Sequence, residues 1–231
     1  RTGDIEEVGD NSHLTFFEMI GRWDLKANPV YFKKHQIEWI FEWQVDILGL
    51  NPNHLYITVF KGDPSVGIDR DDEAIQIWTE LFKAKNIDPK IEEDGEIYGT
   101  SRGGRIFLYD ANENWWSRSG QPKNMPIGEL GGPDSEMFFD FEPNGDVMDH
   151  PASDTGRFLE IGNNVFMSHQ KISENNFAAL DKPNIDYGGG LERICAAVNS
   201  DRDVYNTPFF QSPKKVLTEL SGKSYEKNLS A

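Results

Sequence analysis

The chain has 231 residues, 37% hydrophobic and 12% aromatic, which is enough for one large domain or two small domains with a buried core. Its 39 acidic and 23 basic residues give a net charge of −16, so any contact with RNA requires a local basic patch or a region outside this chain. The single cysteine, Cys195, excludes an internal disulfide and fits a reducing compartment, and no apolar run reaches the length of a membrane span.

The first residue is Arg1 instead of methionine, and no signal-peptide pattern follows it. We therefore expect a fragment or a processed chain. A polar loop comes first, and the β-prone residues 14–20 then predict a strand that Gly21 ends.

Two amphipathic helices and a strand are predicted next. Residues 31–48 predict a helix, residues 55–60 a strand and residues 69–85 a second helix. The expected apolar stripes are Phe32, Gln36, Trp39, Ile40, Trp43 and Ile47 on the first helix, and Ala74, Ile77, Trp78, Leu81 and Phe82 on the second. We interpret both helices as scaffold.

Short strands and turns are predicted for the middle of the chain. Residues 87–112 predict a loose hairpin around the glycine-rich residues 99–104. Adjacent Trp115 and Trp116 cannot both face the core of a strand, so one of them is expected to face a cavity. Further strands are predicted at residues 135–141, 157–161 and 164–167. Asn163, beside a glycine, is either a left-handed turn residue, which is the commoner case, or an amide directed at a ligand.

Residues 183–198 are the most informative stretch. They predict a strand ending at Asp186, a turn made of glycines 188–190 and a helix from Leu191. Glycines allow positive φ and a close ligand, and a helix N-terminus attracts an anion. Asp186 and Arg193 could then bind an ammonium and phosphates. A plain strand-to-helix turn with tightly packed glycines fits the pattern equally well.

The element order lacks regular βαβ alternation and predicts an α+β fold of antiparallel-looking strands interrupted by helices. The chain contains no Walker A or G-x-G-x-x-G loop. Its five histidines show no ligand spacing, so no metal site is predicted. A final helix is expected to start at Thr207-Pro208 or Ser212-Pro213, followed by a polar tail over residues 221–231.

Four stretches, in this order, resemble one family, the alanyl-tRNA synthetases of class II. They are His13-Leu-Thr-Phe-Phe-Glu-Met19, Asn114-Trp-Trp116 with Gly132-Pro-Asp-Ser-Glu136, Glu160-Ile-Gly-Asn-Asn-Val-Phe-Met167, and Ile185-Asp-Tyr-Gly-Gly-Gly-Leu-Glu-Arg193. The resemblance implies an antiparallel β-sheet flanked by helices. Residues 1–220 would be a cytoplasmic catalytic domain that activates L-alanine with ATP and Mg²⁺ and passes it to tRNA(Ala), largely through regions outside this chain.

The resemblance also implies roles for particular residues. The ATP-binding residues would be Arg1 on the α-phosphate, His13 near the outer phosphates, Phe17 and Arg193 on either side of the adenine, and Met19 at its edge. Arg1 and Arg193 would be catalytic. The alanine pocket would comprise Trp116, Asn163, Val165, Asp186 and Gly188, with Asp186 on the amino group.

The chain also departs from the family pattern. The motif 1 segment before Arg1 and the tRNA-binding and editing regions after residue 220 are not in it. Less usual residues for the family are Ser12, Gly131, Asp134, Gly162 and Tyr187. An alternative is therefore a catalytically incomplete paralogue or fragment that binds alanine or ATP. Because no zinc-ligand set for editing is evident, we expect misactivation of serine and glycine.

Overall fold

A computed structural model describes residues 2, 5–28 and 32–225, and an eight-stranded sheet organises them. The strands are β1 Met19–Asp24, β2 Leu55–Phe60, β3 Ile91–Glu92, β4 Ile106–Tyr109, β5 Trp115–Ser117, β6 Leu130–Asp140, β7 Phe158–Ser173 and β8 Asn176–Gly190. The α-helices are α1 Lys33–Phe41, α2 Asp72–Ala84, α3 Gly95–Tyr98, α4 Leu191–Asn199 and α5 Gln211–Ser221.

The sheet order is β1-β8-β7-β6-β2-β4-β3, and β5 pairs with β6. The consecutive strands β6, β7 and β8 form an antiparallel meander, and β1 pairs antiparallel with β8. By contrast, β2 and β3 both run parallel to β4. The predicted α+β class and a largely antiparallel sheet with helices are confirmed. The parallel pairs were not predicted. They form because the chain crosses over through α2 and returns beside β2 in the same direction.

The main core lies between one face of the sheet and the helices α1 and α2. The predicted strand β2 is buried along its whole length, and the predicted stripe of α2 is confirmed because Ala74, Ile77, Trp78 and Phe82 are buried. The indole Nε1 of Trp78 donates to Ser135 Oγ at 2.8 Å, which satisfies its polar atom inside the core. The opposite face of the central strands is left for a cavity.

The predicted stripe of the first helix is wrong in part. Trp39 is 43% exposed and Ile47 68% exposed, whereas Ile37 and Val45 are buried. Trp39 lies within α1, where the guanidinium of Arg22 lies 4.8 Å from the centre of its ring. The exposure of Ile47 follows from a change of helix type: after α1 the chain continues as a π-helix, Glu42–Ile47. A π-turn has more residues than an α-turn, so the buried face shifts relative to a 3.6-residue period.

Two further predictions are corrected by strand pairing. The first strand begins at Met19 instead of residue 14, and Gly21 lies inside it because it pairs with Gly188 of β8. Residues 87–112 contain α3 and the parallel pair β3–β4 instead of a hairpin.

The glycine turns predicted for the second half of the chain are also wrong. Gly162 and Asn163 lie within the continuous strand β7, so Asn163 is not a turn residue. The glycines 188–190 are the last residues of β8 and none has positive φ, although α4 does begin at Leu191 as predicted.

The C-terminal helix α5 packs loosely. It follows a 3₁₀ turn, Pro208–Phe210, close to the predicted starts, but its Val216, Leu217 and Leu220 are exposed. None of the helices described between residues 2 and 225 combines the length and the apolarity needed to cross a membrane.

Candidate active site

Two rows of facing residues cross four strands and form the floor of the cavity. Because residues two apart in a strand point to the same face, adjacent rows share one side of the sheet. In the order β6, β7, β8, β1, the first row is Asp134, Val165, Asp186 and Trp23, and the second is Glu136, Asn163, Gly188 and Gly21. The register thus juxtaposes residues that are up to 167 positions apart in the chain, since Gly21 pairs with Gly188.

Above this floor lies a cavity of about 670 Å³. Its lining includes every predicted site residue that the structure describes, namely His13, Phe17, Met19, Trp116, Asn163, Val165, Asp186, Gly188 and Arg193. Arg1, predicted to contact the α-phosphate, lies outside the described residues. The cavity therefore collects both the residues expected on a nucleotide and those expected on an amino acid.

The end of the cavity that contains Phe17 and Arg193 is held together by α4. The carboxylate of Glu192 accepts hydrogen bonds from the backbone N–H of Glu18 at 3.1 and 3.2 Å, and the N–H of Leu191 donates to the carbonyl of Glu18 at 2.9 Å. These bonds fix the segment carrying Phe17 against the start of α4, which carries Arg193. The side chains of Phe17 and Arg193 both line the cavity, so a flat aromatic ligand could stack between the phenyl ring and the guanidinium.

The guanidinium of Arg193 also has a partner on the sheet. Its Nη1 lies 3.4 Å from the carboxylate of Glu160 and 3.4 Å from the backbone carbonyl of the same residue. Glu160 lines the cavity as well. The side chain of Arg193 is thus oriented by β7 before any ligand binds.

His13 is fixed by a tight polar turn at the mouth of the cavity. Its Nδ1 lies 2.7 Å from Asp10, whose other oxygen accepts the backbone N–H groups of Ser12 and His13 at 2.8 Å. Burial alone would raise the pKa of Asp10, but these hydrogen bonds outweigh it and hold that pKa well below its usual range. The Nε2 atom of His13 lies 3.5 Å from the carboxylate of Glu7. Tyr205 donates to the His13 carbonyl at 3.1 Å.

The opposite end of the cavity combines the carboxylate of Asp186, the indole of Trp116 and the glycine Gly188. Asp186 faces the cavity from β8, and Trp116 is 38% exposed there while its neighbour Trp115 is buried, as predicted for adjacent tryptophans. A Cβ at Gly188 would come within 2.9 Å of the Met19 sulfur. A side chain at residue 188 would therefore displace Met19, and Gly188 does not have the positive φ that the sequence suggested.

A buried network of acidic and amide side chains lies beneath Asn163 at this end of the cavity. The Nδ2 of Asn163 points at Asp134 Oδ2 at 3.4 Å and at Glu136 Oε1 at 3.3 Å. The Nδ2 of Asn114 donates to Asp134 Oδ1 at 3.1 Å, and Thr58 Oγ1 donates to Glu136 Oε2 at 3.2 Å. These two acids are thus bridged by one amide.

Burial raises the pKa of both acids. The pKa of Asp134 rises to about 7 in spite of hydrogen bonds from Asn114 and Asn163 that lower it. That of Glu136 lies well above its usual range because of burial and the nearby charge of Asp134.

Five acidic residues of the site were not predicted from the sequence, namely Asp134, Glu136, Glu160, Glu192 and Glu7. A signal was present for the first two, since carboxylates at alternate positions of an apolar strand share one face. Glu160 and Glu192 carried no signal of this kind, because their roles depend on contacts between separate elements. Within residues 2–225 as far as they are described, no cluster of three or more His, Cys, Asp or Glu side chains is arranged to hold a metal ion.

Comparisons with known proteins identify the family of this chain. A family model described as tRNA synthetases class II (A) matches residues 1–231. The alanine–tRNA ligase of Treponema pallidum (strain Nichols) is 38% identical over 97% of this chain and 33% of its own length. That of Treponema denticola (strain ATCC 35405) is 37% identical over 99% of this chain and 34% of its own.

This chain thus spans about a third of the length of the curated relatives it matches. Among solved structures, the apo histidyl-tRNA synthetase of S. aureus matches 80% of this chain and 40% of its own, with a TM-score of 0.40 and 10% identity. That likeness is too distant to bear on function.

Proposed function

The chain belongs to the class II (A) tRNA synthetases, and from this premise we propose that it is the adenylation region of an alanine–tRNA ligase. It would activate L-alanine with ATP to alanyl-adenylate, and the whole protein would then transfer alanine to tRNA(Ala). The observation that supports this proposal is one cavity with Asp186, Asn163 and Trp116 at one end and Phe17, Met19 and Arg193 at the other.

The reaction needs alignment and positive charge more than a covalent catalyst. A carboxylate oxygen of alanine attacks the α-phosphorus of ATP, a new P–O bond forms, and the bond to pyrophosphate breaks. Arg193, already oriented by Glu160, would hold the adenine, and His13 would meet the outer phosphates. Arg1 would stabilise charge on the α-phosphate in the same reaction.

Class II synthetases use ATP with Mg²⁺. The residues described here fit a cation bound mainly by the phosphates, since Mg²⁺ commonly takes only one or two protein carboxylates. Glu7, whose carboxylate lies 3.5 Å from Nε2 of His13, is a cavity carboxylate beside a proposed phosphate side chain. When bound, the cation would neutralise charge on the departing pyrophosphate.

Alanine would be selected by the small hollow over Val165 and Gly188. Asp186 would bind the amino group, and the indole of Trp116 over the same ammonium would add a cation–π contribution of about 0.5–2 kcal/mol. Substrates of this kind and a single cysteine suit the cytoplasm. Contacts with tRNA would involve mainly the part of the relatives' length that this chain does not span.

Alanine-dependent exchange of pyrophosphate into ATP tests the proposal. We expect Asp186→Asn to lower this exchange by at least about 100-fold, because a buried ammonium would lose its charged partner. Thermal stabilisation by ATP should be retained in that variant. Asp181→Asn, which removes an exposed carboxylate from the same strand, should leave both measurements unchanged.

Normal exchange in Asp186→Asn would contradict the assignment of that residue. A wild-type chain that binds alanine and ATP without any exchange would establish the alternative, a binding module. Neither outcome depends on tRNA.

A further inference from the structure

Two asparagine amides surround the buried carboxyl of Asp134. Asn114 and Asn163 both point their N–H groups at it, at 3.1 and 3.4 Å. The side-chain oxygens of these two amides are buried, and neither has a hydrogen-bond partner among the described residues. Two unpaired buried acceptors beside one acid are costly unless another arrangement of the network satisfies them.

A proton on the acid provides such an arrangement. A carboxylate only accepts hydrogen bonds, which matches the amides as they stand. A protonated carboxyl also donates, and rotating the Asn163 amide by half a turn would present its oxygen to receive that proton. The Asn114 amide is held as it stands, because its Nδ2 also donates to Thr58 Oγ1 at 2.7 Å. The network can therefore accept or lose a proton without moving the backbone.

We infer that the free protein holds one proton on the pair Asp134–Glu136 and releases it when the amino group of alanine binds beside Asp186. This inference rests on the proposed function. Asp134 and Glu136 are then positioning residues, because they act on the substrate through Asn163 and through their charge.

The charges around the pair support this linkage. The raised pKa values of both acids mean that burial opposes ionisation of the whole pair near neutral pH. The neighbouring carboxylates of Glu160 and Glu113 add to that opposition, and Tyr109 also faces Glu136. Arg193, a cation that lines the same cavity, is bound to Glu160.

An ammonium in the cavity would change this balance. Asp134 and Asp186 lie in the same row two strands apart, a distance of roughly 10 Å. A unit charge at that distance changes a binding constant by roughly tenfold at an intermediate dielectric constant. The incoming cation thus favours loss of the proton, and the ionised pair in turn favours the cation.

Calorimetry can count the proton directly. The ligand is a non-hydrolysable alanyl-adenylate analogue, titrated at about pH 6.5 in two buffers of different ionisation enthalpy. The amino group of this ligand is already protonated at that pH. We expect release of about 0.5 to 1 proton per site for the wild type, and no release with the propionyl analogue, which lacks only the amino group.

Variants separate the linkage from a structural role. The Asp134→Asn variant should bind the alanyl analogue without releasing a proton. The Asp181→Asn variant should release the same number of protons on binding as the wild type does. If Asp134→Asn fails to fold, Glu136→Gln provides the same test, and the two analogues on the wild type decide the question without any variant.

Three results would overturn the inference: no release from the wild type, equal release with the propionyl analogue, or release retained in Asp134→Asn. Binding of the alanyl analogue without proton release would overturn this inference alone. Failure of the alanyl analogue to bind would overturn the proposed function and this inference with it.

Discussion

At the scale of single residues, two glycines of the sheet lie where neighbouring atoms approach closely. Gly188 leaves room beside Met19, and Gly132 lies against the backbone of β7, where a Cβ would come within 1.9 Å of the Phe166 carbonyl oxygen. Neither glycine has positive φ. The absence of a side chain at these positions allows the strands to pass each other and leaves the cavity floor open.

Gly132→Ala should therefore destabilise the protein by about 3 kcal/mol or more, because the added methyl group meets backbone that cannot move away easily. Urea denaturation measures this change. Gly190→Ala is the matched control, since its nearest neighbour would be the Arg193 side chain at 3.6 Å, and it should cost at most about 1 kcal/mol. Equal stability of Gly132→Ala and wild type would show that the two strands can separate freely at this point.

Individual site residues could be named from the sequence mainly through resemblance to a family. Asp186 and Asn163 were each open to a local interpretation, as the end of a strand and as a turn. Their proximity depends on the register between β7 and β8, which sets Val165 opposite Asp186 and Asn163 opposite Gly188. Register is decided by pairing over the whole sheet, so a local pattern cannot reveal it.

At the scale of elements, regular periods were predictable and irregular ones were not. The α2 stripe follows a 3.6-residue period and was predicted correctly. The helix after Lys33 changes to a π-helix at Glu42, and its buried face shifted accordingly. The long strands β7 and β8 were predicted only as short pieces, because glycine and asparagine are common at turns but are tolerated in a strand that is paired on both sides.

The hairpin of β6 and β7 is anchored by a buried ion pair next to its connecting loop. Both Nε and Nη2 of Arg157 donate to Asp140, at 3.0 and 2.7 Å, and Nη1 donates to the carbonyl of Asp146 in that loop. Both charged side chains are almost fully buried. The pair therefore links the end of β6, the start of β7 and the loop between them.

Asp140→Asn should lower the free energy of unfolding by about 3–5 kcal/mol, since it leaves the Arg157 charge buried and uncompensated. Chemical denaturation followed by circular dichroism would report the loss. Glu219→Gln breaks an exposed pair with Lys215 and should change stability by less than about 1 kcal/mol. A similar small change for both variants would mean that water reaches Arg157 in solution.

At the scale of the whole molecule, one cavity joins parts of the chain that are far apart in sequence. The segment around His13, the strands β6, β7 and β8, and the helix α4 each supply lining residues. The net charge of −16 is spread over a chain whose cavity also contains several carboxylates. Binding of an anionic nucleotide there must be favoured by local groups such as Arg193 and His13, because the overall field opposes it.

The proposed function requires that the amino-acid end, which contains Asp186, and the nucleotide end, which contains Arg193, belong to one continuous site. Titration of the wild-type chain with a non-hydrolysable alanyl-adenylate analogue tests it most directly, with L-alanine and ATP titrated separately for comparison. A ligand that fills both ends gains the contacts of each at the cost of a single association, so we predict one site and an affinity at least about 100-fold above that of either substrate alone. An affinity for the analogue no higher than that for ATP would show that the two ends are not one site.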